Sequence, residues 1–174
     1  MEHHVNLVHN IPFFSVFFAM FCGIITPLLK SGRAARHLHG FMVGLVGILS
    51  VVLLANVVKN QEAYTFMMGH FPAPWGNEIR IGELEALMAV FFSLIMMLSV
   101  FGGMAHIDRE VQDSKKNLFY ILLDLLMASL LALIYTNDLF TAYVFIEINT
   151  IAACGLIMIK KQGRTYVSAL RYTI

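Results

Sequence analysis

The sequence predicts an all-α integral membrane protein with five transmembrane helices, and three observations predict it. Hydrophobic residues make up 59% of the 174 and charged residues only 13%, about half the charged share of a soluble domain. The apolar residues gather into five runs near the ~20 needed to cross a ~30 Å hydrocarbon core. The charged residues fall almost wholly between those runs. A net charge of +1, with no basic patch interleaved with aromatics, excludes a nucleic-acid-binding module.

The expected spans are Val8–Leu29, Leu38–Val58, Leu84–Ala105, Leu118–Tyr135 and Leu139–Ile159, forming one membrane domain over residues 1–174. In the first, Pro12 sits in the opening turn, where a missing N–H costs little, and Pro27 stops the helix. Met1–Asn10 contains no lysine or arginine, so the run that follows reads as a retained helix and not as a cleaved signal.

The second span leads into the long connection, residues 59–83. Ala63–Met68 and Glu78–Ile81 are rich in β-formers, and Pro72–Asn77 between them is turn chemistry. An external β-hairpin is expected there, with an ordered loop as the alternative. Glu83 and Glu85 open the third span, where negative side chains complement the helix dipole.

Only Thr136-Asn137-Asp138 separates the last two spans, so they must form an antiparallel hairpin. Asp138 is placed to cap the fifth helix, with a supporting role at an ion entrance as the alternative. Of the twelve lysines and arginines, ten fall in the first and third connections or after the last span; Lys59 and Arg80 fall on the other side. The positive-inside rule then puts the C-terminus in the cytoplasm and the N-terminus outside, in the plasma membrane.

Glu147 is the residue that points to function. It lies roughly 13 Å along the helix from Asp138, close to mid-bilayer. A charge at the centre of a membrane helix costs ~3 kcal/mol or more, so such a residue generally has a partner and a task. Burial there favours the protonated form unless a cation stands beside it, and a group that can take or give a proton at that depth suits a relay. A protonated structural Glu that hydrogen-bonds neighbouring helices is the other reading. Tyr143, Thr150 and Cys154 share its helical face and offer hydroxyl or thiol partners.

Asp124 is the second buried acid. Its height differs from that of Glu147 by roughly 4–5 Å, so one water could join them if the helices turn them together. A solitary Asp packed against another subunit is the other reading.

No metal site and no cofactor is expected. Cys22 and Cys154 form no C-x-x-C and read as small packing residues. The seven histidines lie at termini, in loops or at helix ends, unlike paired haem ligands deep in facing helices. No phosphate loop, nucleophile elbow, metalloprotease or dinucleotide motif is present, and no catalytic site is expected in this chain.

Four stretches, Gly69–Gly76, Asn137–Phe140, Val144–Ile148 and Ala169–Ile174, resemble the N-terminal part of the antiporter-like membrane subunits. That family includes the A and D subunits of Mrp-type cation/proton antiporters and the membrane-arm subunits of complex I and membrane-bound hydrogenases. The resemblance implies about fourteen helices in the whole family member, with inverted five-helix repeats. It also implies that Glu147 is a proton-relay group paired with a lysine on a later, broken helix. This sequence carries no counterpart of that lysine. Gly82, with Glu83 beside it, stands where the family places an acid before the third helix. A split or truncated ion-translocating subunit is therefore expected, whose missing helices and lysine come from other membrane subunits. A non-conducting assembly subunit is the alternative.

Overall fold

The computed structural model describes residues 7–29, 31–67 and 76–159. Five helices among them are long and apolar enough to cross a membrane. The elements are α1 (Ile11–Ile25), α2 (Gly32–Asn60), β1 (Tyr64–Met67), β2 (Glu78–Ile81), α3 (Glu83–Gly102), α4 (Met104–Glu110), α5 (Lys116–Tyr135) and α6 (Leu139–Met158).

Pro12 lies in the first turn of α1, and the helix gives way to a 3-10 turn at Thr26–Leu28 that contains Pro27. The second helix begins six residues before the expected Leu38. The Ser31 hydroxyl caps it by accepting from the Arg33 N–H at 3.3 Å. At 29 residues it is roughly 44 Å long, so it outreaches a ~30 Å core. Its first turns can therefore carry Arg33, Arg36 and His37, which a hydropathy reading assigns to a loop. It ends at Gln61, whose left-handed φ of 52° turns the chain toward β1.

The two strands form the expected antiparallel hairpin, with Tyr64 opposite Ile81 and Met67 opposite Glu78. Ile79 and Ile81 are buried and Arg80 is exposed, the period-two alternation of a half-covered strand. Residues 68–75, including most of the proline-containing turn, lie outside the described residues. The hairpin is tied to the α5–α6 junction: the Asn137 N–H donates to the Glu78 carbonyl at 2.8 Å, and the Thr136 hydroxyl donates to Asn77 Oδ1 at 3.0 Å.

Glu85 reaches back to accept from the Gly82 N–H at 2.9 Å, which fixes the start of α3. The third helix stops at Gly102 instead of Ala105. The chain breaks at Gly103, where an added Cβ would lie 2.6 Å from the Ser99 carbonyl oxygen. It then resumes as the short, polar α4, an element that hydropathy alone does not anticipate.

Between membrane helices both sides of a contact are apolar, so close packing and small residues decide which faces meet. On α3 the stripe Ala86, Ala89 and Ser93 is buried. Half of the α5 span (50%) is buried, and α5 packs against α1, α2, α3 and α6. Only 11% of the α6 span is buried, and α6 packs chiefly on α5. The helix α5 is the centre of the bundle and α6 is an edge.

Candidate functional site

Glu147 lies on that edge. It is exposed, as are Leu139, Tyr143, Val144, Ile146 and Ile151 on the same helix. It is the one acid or base in the Leu139–Met158 helix, set in an otherwise apolar, uncovered surface. Of its expected neighbours, Tyr143 engages the carboxyl through its hydroxyl, one turn earlier. Thr150 does not: its hydroxyl donates to the Ile146 carbonyl of its own helix at 2.9 Å. Cys154 is buried away from the surface that Glu147 occupies.

Asp138 has the expected capping role. Its carboxylate accepts from the N–H groups of Phe140 and Thr141 and from the Thr141 hydroxyl, the last at 2.6 Å. The Thr141 hydroxyl, then the two amides, hold this carboxyl below the usual carboxylate range.

Asp124 does not meet Glu147. Leu122 is the α5 residue that meets Gly155 on α6, and Asp124 is two positions on, roughly 200° around the helix. That rotation turns the carboxyl toward α1 and α2. There it is fully buried, accepts from the Thr26 hydroxyl at 3.1 Å and faces His39 Nδ1 at 2.5 Å. The same Thr26 hydroxyl lies 2.8 Å from the Cys22 carbonyl, so one hydrogen serves two acceptors. An added Cβ on Gly23 would lie 3.5 Å from Asp124 Cβ, which shows how closely α1 passes.

The partner of Asp124 is therefore inside this chain. It is His39, which the sequence alone places at a helix end. Because α2 begins at Gly32, His39 lies two turns in and is fully buried. Its Nε2 has no hydrogen-bond partner among the described residues, at a cost of about 1–3 kcal/mol for a buried polar atom. The imidazole lies beside the Tyr120 ring, centroids 5.8 Å apart.

Beyond Tyr120 a line of charges runs to the end of the bundle. The Tyr120 hydroxyl accepts from Arg36 Nε at 2.9 Å, and Arg36 pairs with Asp108 at 2.6 Å. Lys116 pairs with both Asp108 and Asp113 at 2.7 Å. The Lys116 ammonium first, then the Arg36 guanidinium, hold the Asp108 carboxyl below the usual carboxylate range. A polar hollow of about 490 Å³ opens here, lined by Ser31, Arg33, Arg36, Asp108, Asp113 and Lys116.

Known proteins share this architecture. No family model matches the chain. It is 30% identical over 171 residues to the N subunit of the NADH-quinone oxidoreductase of Desulforudis audaxviator, covering 95% of this chain and 33% of that protein. It is 27% identical over 146 residues to the D subunit of the Na(+)/H(+) antiporter of Alkalihalophilus pseudofirmus, covering 83% of this chain and 29% of that one. Its fold is similar to that of a chain in the Mrp complex from Dietzia sp., with a TM-score of 0.81 over 96% of this chain, 31% of that chain, and 16% identity. The chain spans about a third of the length of the curated relatives it matches. Over nearly its whole length the chain is similar to the antiporter-like membrane subunits, among them a D subunit of a cation/proton antiporter and a membrane subunit of an NADH-quinone oxidoreductase.

Proposed function

We propose that this chain is part of an ion-translocating subunit in a multisubunit complex of the plasma membrane, and that protons pass by Glu147. The observation that carries this reading is the placement of one carboxyl on the uncovered apolar face of an edge helix. A carboxylate facing lipid near mid-bilayer is costly. That cost supports a covering segment that brings a polar or cationic group to Glu147. The relatives named above include a protein of a Na(+)/H(+) antiporter, so the coupled reaction proposed is exchange of protons for a cation such as sodium.

The chemistry needs one carboxyl and one movable positive charge. A lysine from a segment outside residues 7–159 stabilises ionised Glu147 when close; when it withdraws or loses its proton, the desolvated carboxyl takes up a proton. Tyr143, one turn earlier, is placed to interact with the carboxyl through its hydroxyl. Asp138 fixes the start of the helix that carries both. The end of the bundle with Arg36 and Lys116 is proposed to face the cytoplasm, on the distribution of basic residues.

Exchange by the complex reconstituted in vesicles, read with an internal pH dye, tests this. Glu147→Gln keeps the shape and removes the titration, so exchange should fall to the level of empty vesicles, while Glu147→Asp should retain part of it. Undiminished exchange in the Gln variant would leave the chain with an assembly role only.

A further inference from the structure

We propose that His39 and Asp124 form a second, reversible proton-binding site, inside the bundle and independent of Glu147. The pair is fully buried, and its two polar atoms stand 2.5 Å apart. It has two charge states. With one proton in excess of neutral His and ionised Asp, the pair is neutral overall, either as imidazolium and carboxylate or as imidazole and carboxylic acid. Without that proton it carries one negative charge in the buried interior of the bundle. Binding the proton forms one N–H or O–H bond, and releasing it breaks that bond; no other reactant takes part.

The surroundings bear on both states. The Thr26 hydroxyl of the turn that follows α1 donates to the second Asp124 oxygen, which supports a carboxylate. Arg36 of α2 reaches toward the site only as far as the Tyr120 hydroxyl of α5. On α3 the acids are Glu83 and Glu85, both in its first turn, while its other end sets Phe101 against Gly40, next to His39. Asp108 of α4 and Lys116 of α5 stand one contact beyond Arg36. Among the described residues, then, no lysine or arginine directly neutralises Asp124, and His39 alone can.

Two features set this pair apart from a static structural tie. Its imidazole keeps an unpartnered nitrogen, Nε2, available to exchange a proton. It also lies one aromatic ring away from a charged, open hollow.

Deuterium exchange at the imidazole C2 carbon, read by mass spectrometry on the wild-type protein in its native complex, needs no variant. Between about pH 5 and pH 8, the His39 rate should follow a single sigmoid. Infrared pH titration reads the same proton where it rests on the carboxyl. The carboxyl band that titrates in the wild type should disappear in Asp124→Asn, move in His39→Gln and persist in Glu147→Gln. A flat His39 rate together with a band indifferent to both Asp124→Asn and His39→Gln would overturn the proposal. Loss of the band in Glu147→Gln alone would assign the proton to Glu147 and also overturn it.

Discussion

At the scale of the residue, each buried or capping acid owes its behaviour to where its helix turns it. Asp138 is the simplest case. Three donors converge on its carboxylate at the start of α6, so its folded proton affinity is lower than that of an unfolded carboxyl. The linkage sign follows: this stabilisation is present above the ordinary carboxylate range and is lost as pH falls through the lowered folded value. Asp138→Ala should lower the thermal midpoint of the solubilised protein and flatten its acid dependence. Asp138→Asn, which still caps, should keep most of the midpoint but not the acid dependence. Asp108 has the same sign, because Lys116 and Arg36 lower it. Asp108→Asn should weaken the link between α2, α4 and α5 most at neutral pH, and the difference from wild type should shrink in acid.

The acids also show how much of the site is legible in the sequence. Asp138 can be read from its position in a three-residue connection. Glu147 can be read as the one charge in its run. The partner of Asp124 cannot, because helix rotation is set by packing and hydropathy does not report it. A signal for His39 is nevertheless present: it lies on the stripe Ala35, His39, Met42, Val46, Ser50, Leu53 and Val57, every member of which is buried. Counting that spacing from Gly32 places His39 in the core.

At the scale of the element, α5 and α6 form the hairpin that carries the site, and one glycine sets their approach. An added Cβ on Gly155 would lie 2.8 Å from Leu122 Cδ1. That contact is with a flexible side-chain end, so Gly155→Ala should be tolerated after a small shift of Leu122. Gly155→Val cannot be absorbed in the same way and should cost about 1–3 kcal/mol by overpacking, read as a lowered unfolding midpoint in detergent. The hairpin β1–β2 is anchored to this same junction through Asn77, Glu78 and Thr136. Its strands are legible from β-branched and aromatic residues. Its docking is not, since Asn137 and Thr136 belong to a different connection. The break at Gly103 is also hidden, because Met104 and Ala105 read as a continuation of the apolar run.

At the scale of the whole molecule, the bundle is lopsided. The helix α5 is surrounded, while α6 presents an apolar face with one carboxyl to whatever lies beyond. The His39–Asp124 pair is enclosed between α5, α2 and the end of α1, whereas Glu147 is exposed on α6. The relatives are about three times as long as the stretch they share with this chain. With Glu147 as the proposed relay, exchange in Glu147→Gln vesicles fails, whereas the His39–Asp124 titration survives the same substitution.

The most direct measurement is a structure of the intact membrane complex that resolves the side chains around Glu147. The expected result is a lysine or another cationic side chain from a neighbouring segment within hydrogen-bond reach of that carboxyl, directly or through one water. An acyl chain or a dry apolar contact against Glu147 would contradict the proposed relay.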